Sequence, residues 1–190
     1  MKYNPQKHHR RSIRLKEYDY SQPGAYFITM VTHQRACLFG IIVHGEMQLS
    51  PMGQIAEEHW RLIPEHFPHV ELGAYVVMPN HVHGIIIIHP NGLAANSPPA
   101  VRVRHASPRQ NPLPQPPNGV KPRSIGAIVG SYKSAVTKRI GRELNATGIW
   151  QRNYHEHIIR NEGAYNRIHA YIESNPANWN TDDEHPVRSV

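Results

Sequence analysis

The sequence predicts an α+β domain, an antiparallel sheet with helices packed against it. Three observations carry this reading. Short segments rich in β-branched and aromatic residues come in hairpin pairs, stretches with apolar residues at 3–4 spacing separate them, and each such stretch opens on a capping serine or asparagine.

The first strand covers residues 25–32, Ala-Tyr-Phe-Ile-Thr-Met-Val-Thr, behind the turn signal Pro23-Gly24. Residues 38–43 and 46–49 flank His44-Gly45 and read as a hairpin. Ser50-Pro51 then opens a helix, with serine as cap and proline in the first turn; Ile55, Trp60, Leu62 and Ile63 give it a buried side. A second hairpin joins residues 70–78 to 81–89 at Pro79-Asn80, and its second arm is nearly all β-branched, as a central strand should be. Nine prolines between 90 and 122 exclude regular structure there, so the segment is read as a flexible insertion within one domain. Its basic members are Arg102, Arg104, Arg109 and Lys121. Ser124 caps a helix through about residue 142, with Ile125, Ile128, Val129, Tyr132, Ala135 and Val136 at helical spacing. Residues 150–159 read as a strand or irregular edge, and Asn161 caps a last helix over 162–174. The expected organisation is a basic arm over 1–20, one domain over 21–180 and a tail over 181–190.

Charge narrows the partners. Lysine plus arginine is 21 and aspartate plus glutamate 14, leaving +7 over 190 residues. With 18% of residues charged, this is a folded chain with a basic surplus, suited to nucleic acid or an acidic membrane surface. The arm, with Arg10, Arg11 and Arg14, is either a solvated tail or a strap along a phosphate backbone. The single cysteine, Cys37, excludes an internal disulfide framework and a cysteine-rich zinc module, and reads as a buried or incidental thiol. The longest apolar run, Ile85 to Ile88, is far too short to cross a bilayer. No membrane partner is expected, and the expected location is the cytoplasm, at the nucleoid.

The sharpest chemical feature is His81-Val82-His83 at the start of a strand. Side chains at i and i+2 share a face, so two imidazoles project together while Val82 enters the other side. Two convergent imidazoles make half of a metal site. His155-Glu156-His157 has the same spacing, but its charged middle residue suits a buried reverse face poorly; it is a surface pair or a neighbour of the site. On the last helix Tyr165, Ile168, His169 and Ile172 form the apolar stripe. Tyr171 lies off it, with Asn175 one turn further along the same face. Spacing alone leaves Tyr171 as a half-buried ring and Asn175 as a helix end before Pro176.

These residues resemble a known family, the HUH single-strand transposases with one catalytic tyrosine, and within it the REP-associated tyrosine transposases. The resemblance rests on Tyr18-Asp19-Tyr20 with residues 24–29, on Val76-Val77-Met78-Pro79-Asn80-His81-Val82-His83-Gly84, and on residues 131–138. It continues through Trp150-Gln151-Arg152-Asn153-Tyr154 to Tyr171-Ile172-Glu173-Ser174-Asn175-Pro176. It implies a ferredoxin-like core whose central strand carries the two histidines. By the same match His81, His83 and Asn175 are metal ligands and Tyr171 is the nucleophile, with Tyr154 and Tyr165 as rivals. The implied cofactor is Mg²⁺, with Mn²⁺ substituting. The implied substrate is single-stranded DNA with short imperfect hairpins, cut and rejoined through a 5′-phosphotyrosine link. Lys133, Lys138 and Arg139, with the arm, are expected to contact phosphates. Two other readings stand beside this one: a non-catalytic hairpin-binding regulator on the same fold, and an unrelated metal hydrolase, which would need an acidic ligand. Monomer and homodimer both remain open.

Overall fold

In the computed structural model, which describes residues 18–90 and 121–186, four strands form one antiparallel sheet. They are β1 (Gly24–Val31), β4 (Val70–Met78), β5 (His81–Ile88) and β6 (His155–Ile159), in the order β4-β5-β1-β6. A separate hairpin, β2 (Gly40–Val43) and β3 (Glu46–Leu49), follows β1. The helices are α1 (Pro51–Arg61), the short α2 (Ile63–His66), α3 (Ile125–Leu144) and α4 (Glu162–Ser174). Without the hairpin, α2 and α4, the order is β1-α1-β4-β5-α3-β6, the split βαβ plan of a ferredoxin-like domain, as expected.

The local signals act as expected. The hydroxyls of Ser50 and Ser124 accept from the backbone N–H of Gly53 and Ala127, and the Asn161 side chain accepts from that of Ala164. Trp150, at the start of the irregular stretch, makes only an isolated bridge to Thr32; the regular strand begins at His155. Cys37 is exposed, so the reading of that thiol as buried does not hold.

Side-chain alternation gives the sheet two unlike faces. Tyr26, Ile28 and Met30 of β1 and Val82 and Ile86 of β5 point to one side and are buried. There they pack with Ile55 and Trp60 of α1 and Ile125, Ile128, Tyr132, Val136 and Ile140 of α3. Gly84 is required on this side: a Cβ there would lie 2.2 Å from Cζ2 of Trp60. The opposite side carries a smaller cluster, with Ala25, Ile85 and Ile159 against Ile172 of α4. It ends where Thr29, His81 and His83 replace aliphatic residues. Among the described residues no helix is long and apolar enough to cross a membrane.

Candidate active site

The hairpin turn Pro79-Asn80 delivers His81 and His83 to the middle of the sheet, where His83 faces Thr29 of β1 and Val76 of β4. Central placement buries both imidazoles, to 0% and 3% exposure, with ring centroids 4.3 Å apart. Each has one nitrogen held: Nδ1 of His81 lies 2.9 Å from Oδ1 of Asn80, and Nδ1 of His83 lies 2.9 Å from Oγ1 of Thr29. Desolvation lowers both pKa values, that of His81 to about 3, and Arg35 adds to the effect at His81. Both rings are therefore neutral at physiological pH, the form that binds a metal.

α4 crosses this face and adds the next two groups. Tyr171 is 42% exposed, with Oη 3.3 Å from Nε2 of His83 and its ring edge-on to Phe27. Asn175 keeps helical dihedrals (φ −59°, ψ −42°) in spite of the following Pro176, which holds it one turn beyond Tyr171 and buried. A third residue arrives from outside the helix. Asp182, buried, accepts hydrogen bonds at Oδ2 from Tyr171 Oη at 3.1 Å and from Asn175 Nδ2 at 2.8 Å. Burial raises the pKa of the Tyr171 phenol above its ordinary value, and the adjacent Asp182 carboxylate raises it further. The nucleophile candidate is thus a phenol, not a phenolate, in the resting protein.

Among the described residues, two buried polar atoms in this cluster have no hydrogen-bond partner: Nε2 of His81 and Oδ1 of Asn175. Uncompensated burial of such atoms costs about 1–3 kcal/mol each, and a cation between them would remove that cost. The ligand atoms of His81, His83 and Asp182 lie within 4.8 Å of one another, close enough to share one ion. Two neutral imidazoles, an amide oxygen and a nearby carboxylate suit a divalent ion of intermediate hardness such as Mn²⁺, and accept Mg²⁺.

The structure brings together His81, His83, Tyr171 and Asn175. Sequence reading missed Asp182, which falls in the segment set apart as a tail. No spacing pointed to it, because a chain reversal through Trp179–Thr181 carries it back to the site. Asn80 and Thr29 belong to the motifs that carry the resemblance, but neither spacing nor resemblance gave them a role at the site. The α3 cations are differently engaged. Lys133 donates to the carbonyls of Gln151 at 2.5 Å and Asn153 at 3.2 Å, over the Trp150 ring, and burial lowers its pKa to about 8. Arg139 pairs with Glu58 and Glu143, whereas Lys138 is exposed. Arg10, Arg11 and Arg14, and nearly all of the proline-rich insertion, lie outside the described residues. Of the rival tyrosines, Tyr165 sits with the apolar cluster under α4 and Tyr154 packs at the margin of the main core.

No family model matches the chain. An uncharacterized protein of Haemophilus influenzae is 43% identical over 182 residues, covering 95% of this chain and 96% of its own length. Among solved structures, a REP-associated tyrosine transposase bound to a REP hairpin superposes with a TM-score of 0.55 at 19% identity, over 88% of this chain and 74% of that one. A putative transposase from Deinococcus radiodurans gives a TM-score of 0.43 at 18% identity, over 85% of this chain and 96% of that one. The first of these folds agrees with the resemblance read from the motifs.

Proposed function

We propose, for a chain that belongs to one family with the Haemophilus influenzae protein and carries the fold of a REP-associated tyrosine transposase, that it cuts and rejoins single-stranded DNA beside hairpins. The observation that carries this reading is the placement of Tyr171 Oη 3.3 Å from Nε2 of His83, beside the two unpartnered buried acceptors of His81 and Asn175. His81, His83 and Asn175 would hold a divalent ion, Mg²⁺ or Mn²⁺, which when bound polarises the scissile phosphodiester and offsets the charge that builds on it.

The chain's own groups do the rest. Half exposed, Tyr171 can meet a phosphate, while Phe27 and His83 fix its ring. Its oxygen attacks phosphorus and loses its proton; the P–O3′ bond breaks, and the leaving 3′-oxygen takes up a proton. The products are a 5′-phosphotyrosine link and a free 3′-hydroxyl. Attack by a 3′-hydroxyl on that link reverses the exchange and rejoins strands with no external energy. Lys138 and the basic arm are proposed to hold the backbone of the DNA.

Asp182 keeps a second reading open, since it supplies the carboxylate that a plain metal hydrolase needs. One experiment separates the two. The protein is incubated with labelled single-stranded hairpin DNA and Mn²⁺ or Mg²⁺ and resolved on a denaturing gel. Tyrosine chemistry gives a metal-dependent protein–DNA band that Tyr171→Phe abolishes while hairpin binding persists. Cutting that survives Tyr171→Phe would establish the hydrolase instead.

A further inference from the structure

We propose that Asn80 is a positioning residue that fixes the tautomer of His81 and seats the chain segment bearing Asp182. The inference rests on reading His81 as a metal ligand. Asn80 is fully buried, and its Nδ2 donates to two backbone carbonyls, those of Arg35 at 3.1 Å and Glu184 at 2.7 Å. Carbonyl oxygens only accept, so the amide cannot be turned round without placing its oxygen against both of them. The remaining atom, Oδ1, faces Nδ1 of His81 at 2.9 Å. An amide oxygen also only accepts, so Nδ1 must carry the ring proton. The lone pair of the neutral imidazole then sits on Nε2, the atom that is buried and unpartnered. The opposite tautomer would place a proton where the ion should bind.

The other two candidate ligands also have a neighbour on one polar atom. Thr29 Oγ1 meets Nδ1 of His83, and Asp182 Oδ2 takes the amide N–H of Asn175. A threonine hydroxyl can donate or accept, so of these contacts only the Asn80 amide oxygen dictates which nitrogen of its histidine carries the proton. Asn80 differs from the other two because it also ties distant parts of the chain. Its bond to the Glu184 carbonyl lies two residues beyond Asp182, where Arg35 adds an ion pair to the Glu184 carboxylate at 3.0 Å. One amide thus links the ligand on β5 to the segment that completes the site.

The test begins with the metal-free wild-type protein, labelled with ¹⁵N-histidine, in a long-range ¹H–¹⁵N correlation spectrum. His81 should carry its proton on Nδ1, and a proton on Nε2 would overturn the proposal. Mn²⁺ affinity, followed by electron paramagnetic resonance of the free ion, adds a second readout. Asn80→Ala should weaken binding about 10- to 100-fold. Asn80→Asp keeps an acceptor for Nδ1–H but sets an oxygen against both carbonyls, so it should leave the His81 proton on Nδ1 and recover only part of the affinity. Equal weakness in Asn80→Asp and Asn80→Ala would mean that Asn80 serves only to hold the backbone. If Asn80→Ala does not fold, the wild-type spectrum decides alone. His81→Ala reports on the underlying reading separately: undiminished Mn²⁺ binding there would refute the metal centre itself.

Discussion

The chain contains two His-x-His pairs on the same face of one sheet, and they have opposite fates. His81 and His83 sit on the central strand β5, buried, each with one nitrogen held by a neighbour. His155 and His157 sit on the edge strand β6, opposite Thr29 and Phe27, and both are exposed. Spacing decides which face a side chain takes, but position in the sheet decides whether it loses water and gains a fixed partner. The middle residues follow the same division. Val82 enters the main core, whereas Glu156, opposite Ile28 at the sheet margin, is half-buried.

The comparison breaks most sharply by truncation. His81→Ala should reduce metal-dependent strand cleavage on the order of 100-fold or more, as loss of a group that stabilises transition-state charge does. Mn²⁺ binding should fall with it, while the His155→Ala and His157→Ala double variant keeps Mn²⁺ affinity near wild type. Equal losses in the two pairs, measured by Mn²⁺ titration and a cleavage gel, would erase the distinction between centre and edge.

A second perturbation acts on the other side of β5. Gly84→Ala forces a methyl into Trp60 with no room to spare. Destabilisation of about 1–3 kcal/mol or more should follow, read as a lower urea midpoint. An unchanged midpoint would mean that Trp60 moves freely and that the core behind the histidines is softer than described.

The third perturbation is pH. Burial holds the folded-state pKa of His81 at about 3, below an unfolded value of about 6.5. As pH falls below 6.5 the unfolded chain takes up a proton that the folded chain refuses. The stability contributed by neutral His81 is therefore complete above about pH 7 and declines from pH 6.5 downward. For the metal-free protein His81 alone should account for a loss of about 2 kcal/mol by pH 5, and buried His83 adds to it in the same direction. A urea midpoint that stays flat between pH 7 and pH 5 would contradict the buried, neutral assignment.

Much of this was legible in the sequence, for local reasons. The hairpin around Pro79-Asn80 and the helix after Asn161 were readable because alternation, turn residues and caps act within a few positions. Tyr171 and Asn175 were assigned their roles only through family resemblance, since spacing alone described a half-buried ring and a helix end. Asp182 was not readable at all. It reaches Tyr171 and Asn175 because the chain reverses after Pro176 and is tied back by Arg35 and Asn80, residues more than 100 positions away in sequence. Nor did sequence show that Lys133 spends its hydrogen bonds on the 151–153 loop, which only tertiary packing decides.

The central claim is that Tyr171 is the residue that becomes joined to DNA, and mass spectrometry of the trapped adduct tests it most directly. The protein is reacted with single-stranded hairpin DNA and Mn²⁺, digested with nuclease and protease, and its peptides are sequenced. A 5′-phosphonucleotide on Tyr171, formed only with metal present, is the predicted result. The same modification on Tyr154 or Tyr165, or strand cleavage with no modified tyrosine, would contradict the account.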